Sequence, residues 1–96
     1  MAVGIDRVRA HVFVSGRVQN VNFRSHVRDE AKRASVDGWA RNLGDGRVEI
    51  VFEGTRGGVQ RLVSWCYSGP PHAEVEHVEV EWEDATNKEG PFTIMW

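Results

Sequence analysis

The sequence predicts an α+β fold, with two helices covering one face of an antiparallel sheet of four to five strands. Three observations lead there. Val8, Ala10, Val12 and Val14 are apolar, with Arg9 and His11 between them, the period of a strand buried on one face. Phe23, Val27, Ala31 and Ala34 recur at helical spacing among Arg28, Asp29, Glu30, Lys32 and Arg33, the stripe of an amphipathic helix. Asp45-Gly46 separates two strand-like runs, and both residue types tolerate the positive φ of a tight hairpin turn.

Each element follows in order. Residues 1–7 read as a loose lead-in. A first strand covers 8–14, and a first helix covers 22–35. Val36-Asp37-Gly38 turns the chain into a second strand, 39–43, and the hairpin leads to a third, 47–53, with Val48, Ile50 and Phe52 on one face. These two strands therefore pair antiparallel. Residues 54–58 break the strand, and Val59, Leu62, Val63 and Cys66 mark a second helix over 58–67. Ser68-Gly69-Pro70-Pro71 stops it, since proline cannot continue a helix. In a fourth strand, 73–83, Ala73 and Val75 share one parity while Val78, Val80 and Trp82 share the other. A bulge near Glu76-His77 puts both sets on the core face. Residues 84–90 form a polar loop, and Phe92, Ile94 and Trp96 mark a short final strand. The order β-α-β-β-α-β is the ferredoxin-like split βαβ arrangement.

The bulk numbers bound the function. Ninety-six residues make one domain, 1–96, with one core that buries roughly 65% of the unfolded surface. The net charge of −2, from 12 basic and 14 acidic residues, gives no drive toward nucleic acid. No apolar run is long enough for a bilayer, and no signal-peptide pattern is present. The single cysteine, Cys66, cannot form an internal disulfide and fits a reducing cytoplasm; it lies on an apolar stripe and reads as core. The expected state is a cytoplasmic monomer. Trp39, Trp65 and Trp82 fall inside elements and read as core or half-core. His11, His26, His72 and His77 are widely separated with no Cys/His cluster, so no metal is expected. The acidic run Glu74, Glu76, Glu79, Glu81, Glu83, Asp84 reads as solvated surface. Arg7, Arg9, Arg17, Arg28 and Arg33 are expected to form a positive area near the first loop, steering anions.

That loop carries the chemistry. Gly16-Arg17-Val18-Gln19-Asn20-Val21-Asn22 leaves a strand and opens a helix, with Arg24 in the first turn. A helix start presents unpaired N–H groups and a partial positive charge. Glycine at 16 permits a tight turn and a close ligand approach. Successive N–H groups of 16–22 can form an anion nest, and the planar guanidinium of Arg24 can grip two phosphate oxygens. This is not a Walker loop, for no G-x-x-x-x-G-K-[ST] pattern occurs. Ser15 and Ser25 flank the loop without an evident paired base. Composition alone also fits a plain strand-to-helix connection, and Asn42 alone also fits a turn residue bonded to its own backbone.

Two spaced motifs go further. Gly16-Arg17-Val18-Gln19-x-Val21-x-Phe23-Arg24 resembles the acylphosphatase signature G-R-V-Q-G-V-x-F-R. Gly38-Trp39-Ala40-Arg41-Asn42-Leu43-Gly44-Asp45-Gly46-Arg47-Val48-Glu49 resembles that family's G-W-V-x-N-x-x-D-G-x-V-E. The Gly69-Pro70-Pro71 turn and Gly90-Pro91-Phe92-Thr93-Ile94 are similar as well, so the resemblance spans residues 9–96. It implies a metal-independent hydrolase with no cofactor and no phosphoenzyme, acting on a small-molecule acyl phosphate. Arg24 matches the arginine that binds the substrate phosphate, and Asn42 the asparagine that positions the attacking water. Gly16, Arg17, Val18, Gln19, Asn20, Val21 and Asn22 match the phosphate-binding loop. Asn42 is expected to reach the loop mouth if the second strand lies beside the first. One departure is Asn20, where the family has glycine. A left-handed asparagine carries about 1 kcal/mol of strain. That departure keeps open a non-catalytic anion- or partner-binding module on the same fold. A third reading is a domain acting on carbamoyl phosphate within a larger maturation protein. Standalone hydrolysis is the expectation, since the chain stops just after its last predicted strand.

Overall fold

The structure is a computed structural model that describes residues 6–96; most of the expected lead-in lies outside them. Its elements are β1 (Arg7–Arg17), α1 (Phe23–Arg33), β2 (Asp37–Asn42), β3 (Val48–Thr55), α2 (Arg56–Cys66), β4 (Glu74–Asp84) and β5 (Thr93–Met95). The sheet order is β4-β1-β3-β2-β5. The fold is ferredoxin-like α+β.

Val8, Ala10, Val12 and Val14 of β1 meet Val48, Ile50 and Phe52 of β3 in one core, together with Phe23, Val27 and Ala31 of α1 and Val59, Leu62 and Cys66 of α2. The alternation and the two helical stripes legible in the sequence thus define the buried face. Phe23 meets Trp65 edge-on at 5.5 Å, joining the two helices. The expected break over 54–58 is shorter than the sequence implied. Strand β3 runs to Thr55, whose hydroxyl accepts from the Gly58 N–H at 3.2 Å and caps α2 directly. Burial pushes the Cys66 thiol pKa up, leaving it inert as a nucleophile.

Strand β4 slips by one residue against β1. Ser15 faces His77 and Gly16 faces Val75, so Glu76 is the extra residue of the bulge, inside the expected pair. Gly16 sits against this bulge at φ 121°, where a Cβ would fall on the backbone of Glu74 and Glu76. Its glycine is therefore required by strand packing, while the sequence pointed to the loop. Trp82 is 49% exposed, against the expectation of a core or half-core residue. It lies on edge strand β4 beyond the cover of the helices.

The sheet is mixed, which corrects the expectation of an antiparallel one. Strand β5 pairs parallel with β2, Ala40 beside Ile94. The reason is directional. Strand β4 runs antiparallel to β1, which runs antiparallel to β3, which runs antiparallel to β2. One reversal after β4 sends the chain along the same direction as β2.

That reversal is anchored by an acid. Glu53 lies on the sheet face opposite the helices and is 0% exposed. Its carboxylate accepts from the backbone N–H groups of Thr86 and Asn87, from the Thr86 hydroxyl and from Arg9 Nη1. Arg9 also donates to Glu83 and Glu89. On the same face of β3, Glu49 accepts from Arg41 Nε at 2.6 Å and lies 2.6 Å from His11 Nε2. Burial alone would raise both carboxyl pKa values. For Glu49 the hydrogen bonds of His11 and Arg41 outweigh it, and for Glu53 the Thr86 and Asn87 amides and Arg9 do, so both fall below 4.5. Among the described residues, no helix is long and apolar enough to cross a membrane.

A depressed folded pKa means stability that is complete above 4.5 and is lost as pH falls through the lower folded value. Glu53→Gln is expected to cost about 2–4 kcal/mol at neutral pH. In urea unfolding at pH 7 and pH 3, the gap between the variant and the unsubstituted protein should narrow at the lower pH. A gap independent of pH would remove the anchoring role from the charge.

Candidate active site

Strands β1 and β2 run in the same direction, so both finish at one end of the sheet, and α1 starts there. They are not neighbours, contrary to the condition set from the sequence. Strand β3 lies between them: Val14 faces Val48, and Val48 faces Asn42. Val14 and Asn42 are thus about 10 Å apart. The loop bridges that gap, and Gln19 shows how. Its Nε2 donates to the Leu43 carbonyl at 2.8 Å and to the Arg47 carbonyl at 3.0 Å. It ties the loop to the hairpin that ends β2.

The other loop residues divide by role. Gly16 and Arg17 belong to β1 and pair with Val75 and Glu74, so the irregular segment is 18–22. Arg17 is exposed. The side chains of Val18 and Val21 are buried in the core and pin the segment from below. Asn20 and Asn22 have φ of 63° and 62°, with Val21 between them not in that region. Left-handed residues of this kind are the ones that permit successive N–H groups to face one side. Asparagine tolerates the left-handed region better than any other side chain, which accounts for Asn20 in the place of a glycine. Among the described residues, no N–H of Val18 to Asn22 donates to a protein group.

The start of α1 is equally unsatisfied. Its N-cap is Asn22, whose side chain makes no capping hydrogen bond, and its first turn contains no acidic residue. The dipole end is left without a negative partner. Ser25 Oγ donates to the Asn22 carbonyl at 3.3 Å. Arg24 projects from this turn, and its Nη1 donates to the Met95 carbonyl at 3.1 Å; among the described residues the rest of its fork has no protein hydrogen bond.

Asn20, Asn22, Arg24 and Ser25 line one cleft of about 180 Å³ with Asn42 and Trp96, over Phe23 and Ile94, whereas Gly16, Arg17, Val18, Gln19 and Val21 are not in its lining. The volume is below the roughly 300–1,000 Å³ of sites for drug-sized ligands. Asn42 is the last residue of β2, and among the described residues its carboxamide has no protein partner. A guanidinium and a helix start at a small cleft are chemically suited to a tetrahedral anion. A carboxamide at its wall can orient a water but cannot remove a proton, because it has no useful pKa.

Other sequence expectations fall elsewhere. The arginines do not gather at the loop. Arg7 pairs with Asp37, Arg28 with Asp29 and Arg33 with Glu30, while Arg9 is engaged by the acids of the outer sheet face. Along β1, Arg9 lies about 26 Å from Arg17. His11 was read as isolated, yet pairing of β1 with β4 brings it to Glu81 and Glu83, with their ligand atoms within 4.8 Å. That group is on the outer face, away from the cleft. Missed from the sequence were the Met95 carbonyl and the Trp96 ring as partners of Arg24, which meet it only because β5 lies parallel to β2.

A protein-family model described as Acylphosphatase matches residues 10–94. An acylphosphatase of Chloroflexus aurantiacus is 67% identical over 92 residues, covering 96% of this chain and all of that one. An acylphosphatase of Roseiflexus sp. is 61% identical over 92 residues, covering 96% and 99%. The crystal structure of acylphosphatase from Bacillus subtilis superposes with a TM-score of 0.89 at 34% identity, covering 93% of this chain and 99% of that one.

Gln19→Leu keeps bulk and removes both hairpin donors. It is expected to cost about 1–2 kcal/mol in urea unfolding and to weaken inorganic phosphate binding, followed by NMR shifts of the 18–22 amides. Asn20→Gly should keep phosphate binding, with stability changed by about 1 kcal/mol at most. A large loss of binding in the glycine variant would give the Asn20 side chain a direct role.

Proposed function

The chain belongs to the acylphosphatase family and hydrolyses acyl phosphates, and we propose that Arg24, the loop amides and Asn42 carry out that reaction in the cleft at the end of β1 and β2. The observation that supports these roles most is that Arg24 and Asn42 line one cleft, although they are distant in sequence and stand on different elements.

The loop 16–22 is the phosphate-binding loop, with 18–22 as its cradle and Gly16 and Arg17 as its strand-held base. The cradle N–H groups and the start of α1 hold the phosphoryl oxygens. Arg24 neutralises the charge that develops on them, the main requirement of phosphoryl transfer. Asn42 holds a water opposite the bridging oxygen. The water oxygen bonds to phosphorus while the bond from phosphorus to the acyl oxygen breaks. The carboxylate departs with the electron pair, and one water proton passes to a phosphate oxygen. A carboxylate leaves readily without an acid, so no general acid is called for. The carboxamide contributes by orientation.

We infer that the protein works without a cofactor as a cytoplasmic monomer of one domain, 1–96, with no nucleic-acid partner. Its only cysteine is buried and free. The arginines of the outer sheet face are paired with acids, which disfavours that face as a surface for a phosphate backbone.

Benzoyl phosphate is expected to be hydrolysed at the same rate with and without EDTA. Arg24→Gln should lower turnover at least about 100-fold and weaken inhibition by inorganic phosphate, as expected when a transition-state donor is removed. Asn42→Ala should lose turnover to a similar degree, at least about 100-fold, while phosphate inhibition persists. Unchanged turnover in the Asn42 variant would remove the water-positioning role. A folded protein inactive on acyl phosphates would leave only an anion-binding module.

A further inference from the structure

Arg24 is met by two consecutive residues. Its Nη1 donates to the Met95 carbonyl at 3.1 Å, and its guanidinium carbon lies 4.3 Å from the centre of the Trp96 ring. A guanidinium on an indole face is a favourable pair, yet it uses little of the ring: Trp96 is 95% exposed. The ring nevertheless lines the cleft that holds Arg24 and Asn42. Phe23, an apolar neighbour in that lining, is only 2% exposed. The apolar surface presented to a ligand is therefore that of Trp96 and half-buried Ile94.

An acyl phosphate has two ends of opposite character. In one with a hydrocarbon acyl group, such as benzoyl phosphate, the phosphate is charged and rich in acceptors, while the acyl group is uncharged and, beyond its carbonyl, apolar. The cleft carries both characters, a guanidinium at the start of α1 and, against that guanidinium, a solvent-facing indole. We propose that Trp96, with Ile94, forms the subsite for the acyl group and makes the protein select aromatic over short acyl chains. This rests on the acyl phosphate reading of the cleft and adds the determinant of its substrate class. With phosphate on Arg24, an acyl ring attached through the bridging oxygen reaches the indole that already covers that guanidinium. Stacking on the ring removes apolar surface of both partners from water.

The test compares benzoyl phosphate with acetyl phosphate, using inorganic phosphate as a competing inhibitor. Trp96 is exposed, so its substitution leaves the core intact. In Trp96→Ala, kcat/KM for benzoyl phosphate is expected to fall about three- to ten-fold, mainly through KM, the size that an aromatic contact carries. Acetyl phosphate should lose about two-fold at most, and phosphate inhibition should hold. Trp96→Phe should recover most of the preference for the aromatic substrate. Equal losses on both substrates with weaker phosphate inhibition would overturn the proposal, since the ring would then act only by steadying Arg24. No change on either substrate would overturn it as well. An unsubstituted protein that turned over neither substrate would instead defeat the hydrolytic reading, and the subsite with it.

Discussion

Strand direction is the constraint from which the cleft follows. Strands β1, β2 and β5 share one direction, and β3 runs against its neighbours β1 and β2. The ends of three co-directional strands and the start of α1 consequently lie at the same edge of the molecule. Each delivers one component there: β1 the loop, β2 the carboxamide of Asn42, β5 the carbonyl of Met95, and α1 the guanidinium of Arg24. No single element builds the site. A slip of one residue in β2 would turn Asn42 to the other face of the sheet, which is why the hairpin and the Gln19 tie matter to chemistry as well as to packing.

The least obvious part of that arrangement is β5, a strand of three residues that cannot hold itself in place by pairing alone. It is held from both sides. Phe92 just before it stacks on Phe52 at 5.8 Å in the core. On the other face, the loop leading to it lies over Glu53 and Arg9. A carboxylate buried among amide donors is costly to leave unpaired, so the loop has one favourable path across the sheet. The outer face thereby contributes to a cleft that it does not touch.

Much of this was legible in the sequence, and the boundary is physical. Period-two and helical patterns report burial directly, so β1, β3 and both helices could be read, as could the bulge at Glu76 from the parity change in β4. Arg24 and Asn42 stood out through two spaced motifs, and the positive φ of Asn20 followed from the residue that it replaces. What could not be read depends on which strands are neighbours. Alternation is the same for any neighbour, so the place of β3 between β1 and β2, the parallel pairing of β5 and the contact of Arg24 with Met95, 71 residues apart, leave no local mark. Gln19 is expected in the loop for its backbone N–H, and nothing local marks its long side chain as the tie to the hairpin carbonyls. Glu53 was hidden for a related reason: an acid at outward parity looks solvated until a crossing segment covers it.

The place of β1 inside the sheet also shapes how the molecule comes into being. Its neighbours are residues 48–55 and 74–84, so on the ribosome the first apolar strand waits for most of the chain before both flanks are closed. At roughly 5–20 residues per second, that wait lasts several seconds, with Val8, Ala10, Val12 and Val14 unshielded. The charged and polar residues interleaved with them, Arg9 and His11, discourage a bare strand from recruiting another nascent chain. After folding, the same side chains bind the acids of the outer face, so one set of residues guards the strand during synthesis and seals the sheet afterwards.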